Sequence, residues 1–312
     1  MSGLVEARPR PGLRRLAAVP PIWLVLAALL VVVVWRDPTF AQPASLLAFL
    51  KRCAPLLVLA LGQLFVIVGG EFDLSVGALV TACVVIAARL GDGDPGRTWW
   101  VVAVLAVFGA LVGLTNGLVT TLLRVPSFIT TLGSMLVLNG AVFLWTGGAP
   151  TGALADNLRV LGRSGMTGVP VVGQLPWAVP VLVVVVTGAT LLLHHTRFGD
   201  QVFAVGGGPR AAMLSGVDVW RIRTATFVLS GLSADAGSGY EFQAITAVVL
   251  AGAVLGGGRG TTVATVGGVL TLQALFILLN LLGFAKPLRD SAEGVLVIAA
   301  GAYTAYRARR SG

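Results

Sequence analysis

Eight stretches of 15 residues or more in this chain carry no Asp, Glu, Lys or Arg: residues 16–35, 53–70, 74–88, 98–123, 125–155, 164–196, 242–258 and 260–285. No other feature limits the fold so tightly. Several exceed the roughly 18–20 residues that a bilayer-spanning helix needs. A spanning segment must satisfy every backbone group internally, which favours helices. Only 11% of the 312 residues are charged and the mean hydropathy is +0.91, against about 25% charged in soluble domains. A water-soluble fold would need far more polar surface. The runs do not alternate apolar and polar residues, which excludes a transmembrane β-barrel. The expected fold is an all-α polytopic membrane protein, one domain over residues 1–312, with about ten transmembrane helices.

The opening MSGLVEARPRPGLRRLAAVPP puts basic residues before an apolar run. That run continues through LVLAALLVVVVW without a small-residue cleavage site, so a retained first helix is expected. The two cysteines, Cys53 and Cys83, flank or sit in apolar runs and suggest neither a disulfide framework nor a metal site. The net charge of +9 does not imply nucleic-acid binding, because the basic residues are scattered at segment ends. With ten spans and an inside N-terminus, thirteen of the 22 basic residues fall inside, among them the clusters at 8–15 and 197–223. That bias sets both termini inside, with residues 1–15 as an inside tail. The seventh span is deficient. Between Arg223 and Asp235 only TATFVLSGLSA is uncharged, about 16 Å as a helix and roughly half the hydrocarbon core. A short or partial span is expected there.

The chain echoes itself. VGGEFDLSVGALV at 68–80 and LGGGRGTTVATVGGVL at 255–270 each run from a glycine cluster through charge and hydroxyl into a Val-Gly step. Arg259 stands where Glu71 and Asp73 stand. Gly-interrupted hydrophobic segments at matching places suggest two related halves, as in transporters. In the first, Gly69 and Gly70 are expected to release one helix, with Asp73 or Ser75 capping the next. Two readings of the acids stay open: a structural cap, or carboxylates that accept hydrogen bonds from hydroxyls along a solute path. Gln63 and Gln273 occupy apolar runs in opposite halves and are further path candidates. Asn116 and Asn139 read as interhelical hydrogen-bonding residues, and His194–His195 as a helix end. There is no Gly-x-Ser-x-Gly, His-Glu-x-x-His or P-loop, so no catalysis or nucleotide hydrolysis is expected of this chain.

The interior segment RFGDQVFAVGGGPRAAMLSGVDVWRIR at 197–223 is punctuated as a short helix. Pro209 suits its first position and Gly216 the residue after its last turn. Ala211, Ala212 and Leu214 could offer a face to a partner. This segment, together with VGGEFDLSVG, VPSFITTLGSMLVLNGAVFLWTGGAP at 125–150 and GYEFQAITAVVLAGAVLGGGRGTTVATVGGVL at 239–270, resembles permease subunits of the ribose/xylose/galactose class of ABC sugar importers. The resemblance covers most of residues 45–300. It implies a permease of the cytoplasmic (inner) membrane working as a pair, either two copies or two homologues. A separate cytoplasmic ATPase uses ATP and Mg, and an extracytoplasmic sugar-binding protein delivers solute. It implies no cofactor in this chain. It also implies that Arg197, Phe198, Gly199, Pro209, Ala211, Ala212, Leu214, Ser215 and Gly216 form the ATPase-coupling contact. The chain departs from the family at Glu71, where Gly is common. It also lacks a stretch between Leu232 and Ala236 that in the family completes a helix. Two other readings therefore stand beside a sugar-import permease: a proton-coupled secondary transporter using Glu71 and Asp73, and a degenerate permease that does not transport.

Overall fold

The computed structural model describes residues 20–149, 151–170, 173–234 and 240–310; the expected inside tail, 1–15, lies outside them. A helix stands at each expected span. These are α1 (Pro21–Arg36), α2 (Pro43–Val68), α3 (Val76–Gly91), α4 (Thr98–Leu122) and α5 (Ser127–Thr146). After α6 (Asp156–Arg163) come α7 (Ala178–His194), α8 (Arg197–Gly207), α9 (Pro209–Leu214), α10 (Val219–Ser233), α11 (Glu241–Leu250), α12 (Thr262–Leu281) and α13 (Lys286–Arg310). Among the described residues, four helices are long and apolar enough to cross a membrane: α2, α4 with the turn before it, α5 and α12. A fifth crosses if α7 and α8, bent by 66°, form one span. Others at expected spans are shorter: α1 and α3 have 16 residues, α10 has 15 and α11 has 10. The segment expected to be short carries the 15-residue α10. At 1.5 Å per residue α10 reaches about 22 Å.

One expectation is corrected. The run 164–196 is not helical throughout, because its first third is an antiparallel hairpin of β1 (Gly165–Val169) and β2 (Gly173–Pro176). Gly165, Gly168, Pro170, Gly173 and Pro176 explain it. Gly168 and Gly173 have φ of +79° and +69°, which glycine alone adopts freely. Helix α7 starts only once these residues are passed.

Helix α2 is the axis of the bundle. From Leu56 to Val68 nearly every side chain is buried, as expected of a helix apolar on all sides. Helices α7, α10, α11 and α12 surround it. The tightest pairing is between α4 and α10. Gly109, Gly113 and Gly117 recur every fourth residue along one stripe of α4, and α10 lies against it backbone to backbone. A Cβ on Gly113 would run into the Phe227 carbonyl, and one on Gly117 would come 2.7 Å from Thr224 Cα. Gly231 returns the contact against Gly109. Such close approach lets a short helix gain dispersion contacts that side chains would block.

Gly113→Val is therefore expected to overpack the α4–α10 seam and cost about 1–3 kcal/mol. Gly133 on α5 meets nothing within 4 Å, so Gly133→Val is expected to be nearly neutral. Thermal unfolding in detergent compares the two. Equal melting temperatures would contradict the assigned seam.

Candidate functional site

Helix α2 ends at Gly69 through paired bonds, Gly70 N–H to the Ile67 carbonyl and Glu71 N–H to the Val66 carbonyl, both 3.0 Å. Gly70 takes φ +85° to make them. The break that follows, residues 69–75, turns inward and does not run over the surface. Asp73 is 1% exposed. Its Oδ1 accepts from Ser75 N (3.0 Å) and Ser75 Oγ (2.6 Å), and its Oδ2 accepts from Ser230 Oγ on α10 (2.8 Å). Asp73 thus caps the chain entering α3. Ser75 does not cap: its side chain makes no cap bond, and its oxygen accepts from Asn116 Nδ2 instead.

Hydrogen bonds run on from Ser75. Asn116 Nδ2 of α4 donates to Ser75 Oγ (2.8 Å), and Ser134 Oγ of α5 donates to Asn116 Oδ1 (2.5 Å). Ser127 Oγ of α5 accepts from Phe72 N (3.2 Å). Gln63, with its amide turned to pair both groups, donates to the Asp73 carbonyl and accepts from Asp73 N–H, each 3.2 Å. The donors Ser134, Asn116 and Ser75 point one after another toward the Asp73 carboxylate, and such aligned chains reinforce one another. Asn116 is thus the interhelical residue its sequence context suggests. Gln63 holds the break, and Gln273 stands apart in a cavity at the other end of the bundle.

Glu71, two residues earlier, has a different role. Its carboxylate pairs with Arg223 of α10 at 2.6 Å. Both line a cavity of about 860 Å³ with the α4–α5 turn (Arg124, Pro126) and the approach to α10 (Met213, Asp218, Trp220). The two acids that adjoin in sequence are therefore separated: Asp73 serves the interior and Glu71 the cavity wall.

The α8–α9 segment lies beside this cavity. Phe198 stacks on Phe65 of α2 with ring centroids 6.4 Å apart. A Cβ on Gly199 would meet the Leu193 carbonyl, so the α7–α8 bend needs glycine there. Pro209 opens α9. Gly216 N–H bonds the Met213 carbonyl and Val217 N–H the Ala212 carbonyl, each 3.0 Å, with Gly216 at φ +82°. Leu214 is 86% exposed and Met213 62% exposed. Arg197, Pro209, Ala211, Ser215 and Gly216 are exposed too. Ala212 is corrected: it is buried at 4% and anchors α9 without sharing its outward face. Met213, unremarked in the sequence, takes that place. At the other end of α8, Gly206 abuts the Val68 carbonyl and Gly257. Gly258 N–H bonds Val68 O at 2.8 Å.

The second break, residues 251–261, meets the first here. It ends α11 by the same device, with Gly252 N–H to the Val249 carbonyl and Ala253 N–H to the Val248 carbonyl, at 2.9 and 3.2 Å. The helix-ending glycine is Gly252 and not the 256–258 cluster, so the matching register differs from the one the sequence echo suggests. Thr261 Oγ1 caps α12 by accepting from Ala264 N. His194 closes α7 and accepts from Thr262 N at 3.4 Å. Among the described residues no group of His, Cys, Asp or Glu has metal-site geometry.

A helical bundle with membrane-length helices around a buried polar break defines a multi-pass membrane protein. Residues 45–236 match the family described as branched-chain amino acid transport system / permease component. The chain belongs to this family of transport permeases, in keeping with the resemblance read from its motifs. It is 33% identical over 294 residues to the ribose import permease protein RbsC of Escherichia coli K12, covering 89% of this chain and 90% of that protein. It is 34% identical over 303 residues to RbsC of Bacillus subtilis, with the same coverage. Against the galactose/methyl galactoside import permease protein MglC of E. coli K12 it is 28% identical over 309 residues, covering 89% of this chain and 91% of that protein. No solved structure matches significantly.

Removing the Asp73 carboxylate strands several buried donors at once. Asp73→Ala is expected to cost about 3 kcal/mol or more, whereas Glu71→Gln, which weakens one partly buried pair but keeps an acceptor for Arg223, should cost about 1–2 kcal/mol. Melting of the purified variants tests the ranking, and a larger loss for Glu71→Gln would refute it.

Proposed function

We propose that this chain is the membrane-spanning permease of an ATP-driven importer of a monosaccharide. It would cross the cytoplasmic membrane about ten times, with both termini and α8–α9 inside. The observation that carries the reading is the identity to ribose import permeases across 89% of the chain. An exposed, glycine-terminated helix beside the break supports it. Partners follow from the reading: a cytoplasmic ATPase that consumes ATP and Mg, an extracytoplasmic sugar-binding protein, and a second permease chain. This chain would hold no cofactor and perform no chemistry on the sugar.

Geometry supports a mechanism. Met213 and Leu214 offer an apolar contact that an ATPase could push, and Ala212 ties α9 to the bundle so that the push is transmitted. The end of α8 next to α9 touches both breaks through Gly206, and the Glu71–Arg223 pair links the first break to α10. Motion of α8–α9 would thus reach both breaks together and shift the helices they join. The separate settings of Glu71 and Asp73 favour this over proton coupling. The short α10 and α11, of 15 and 10 residues, motivate one second reading, a permease that keeps its partners but does not transport. Sugar uptake into vesicles holding this chain and its partners removes it.

Tagged full-length chain, gently solubilised, is expected to capture an ATPase subunit. Leu214→Asp should reduce that capture about tenfold or more, a loss of about 1.4 kcal/mol, with membrane insertion intact. Ser233→Ala, at the far end of α10, should leave it unchanged. Capture indifferent to Leu214→Asp, or absent throughout, would contradict the proposal.

A further inference from the structure

A second cavity lies at the end of the bundle away from α8 and α9. It measures about 320 Å³, within the range of small-molecule sites. It is bounded by the start of α11, the last turns of α12, the start of α13 and Arg52 of α2. Helix α10 stops at Ser233 and α11 starts at Glu241.

Its walls differ from the rest of an apolar bundle. Gln243, Gln273 and Asn280 supply amides, while Arg52, Lys286 and Arg289 supply cations, with Phe276 and Tyr240 as aromatic faces. Gln273 is 7% exposed. Gln243 Oε1 and Arg289 Nε are buried without a hydrogen-bond partner. Buried polar atoms are nearly always paired, so one unmet acceptor and one unmet donor on the walls of one cavity point to a ligand. Among the described residues no acidic side chain lines the cavity; Glu293, one turn past Arg289, is buried and engaged, with its Oε1 lacking a hydrogen-bond partner. Arg and Lys only donate, so donors exceed acceptors and the ligand must be rich in acceptor oxygens.

We propose that this cavity binds a monosaccharide-sized polyhydroxy compound bearing a carboxylate. Gln243, Gln273 and Tyr240 would meet its hydroxyls, and Arg289, with Arg52 and Lys286, its carboxylate through charge-assisted bonds. The inference rests on the sugar-import reading for its assignment as the mouth that receives solute; the binding itself is measured without that reading.

Purified full-length chain in lipid nanodiscs is titrated with D-gluconate and with D-glucitol, which keeps the hydroxyls and lacks the carboxylate, by saturation-transfer NMR. Gluconate is expected to bind saturably and about tenfold or more tighter than glucitol. Arg289→Gln should weaken gluconate by about tenfold and glucitol little, whereas Gln243→Ala should weaken both. If Arg289→Gln fails to fold, Lys286→Gln takes its place with the same expectation. Equal affinity for the two ligands, gluconate binding indifferent to these substitutions, or no saturable binding of either overturns the proposal. Failure of the import reading shows separately, as absent ATPase capture, and leaves this result standing.

Discussion

The structure depends on one buried carboxylate. Asp73 sits among apolar helices with no cation beside it, and what makes its burial tolerable is a full set of donors: a backbone amide and two hydroxyls on its carboxylate. A buried polar group without such partners is costly. The donors come from separate places, Ser75 at the start of α3 and Ser230 on α10. Asn116 and Ser134 extend the row to α4 and α5, and Gln63 of α2 grips the Asp73 backbone. Five helices are thereby registered on one residue. An irregular backbone at this depth is feasible only because protein surrounds it.

Glycine provides the second constraint. The stripe Gly109, Gly113, Gly117 lets α10, too short to span the hydrocarbon by itself, gain its stability from α4 backbone to backbone. Gly206, Gly257 and Gly258 allow α8 and the two breaks to touch without side chains between them. The result is a rigid interior next to a junction of three segments that can move only together. Such a junction suits a permease whose driving force arrives from outside the chain, because displacement at α9 is passed on and not absorbed.

How much of this the sequence made legible depended on range. Charge-free runs marked every helix at an expected span, and Pro209 and Gly216 bounded α9, because these signals are local. The hairpin at 165–176 escaped because absence of charge does not distinguish helix from strand; its glycines and prolines carried the information. The stripe at 109–117 was visible as a spacing, yet nothing local named α10 as its partner. The Glu71 partner was likewise hidden. The sequence echo set Glu71 against Arg259, whereas folding brings in Arg223 from 152 positions away. Asp73 was suspected from its setting alone; its bond from Ser230, 157 positions away, was not visible in the sequence. Ala212 was grouped with its neighbours because a six-residue helix offers too little periodicity to assign faces.

The central claim is that transport is driven through α8–α9 by ATP. Its most direct test is accumulation of the labelled solute that its sugar-binding protein delivers, in sealed vesicles that contain this chain with its ATPase and that binding protein. The account predicts accumulation that requires ATP and persists when an ionophore collapses the proton gradient. Accumulation that needs no ATP and vanishes with the gradient would contradict it.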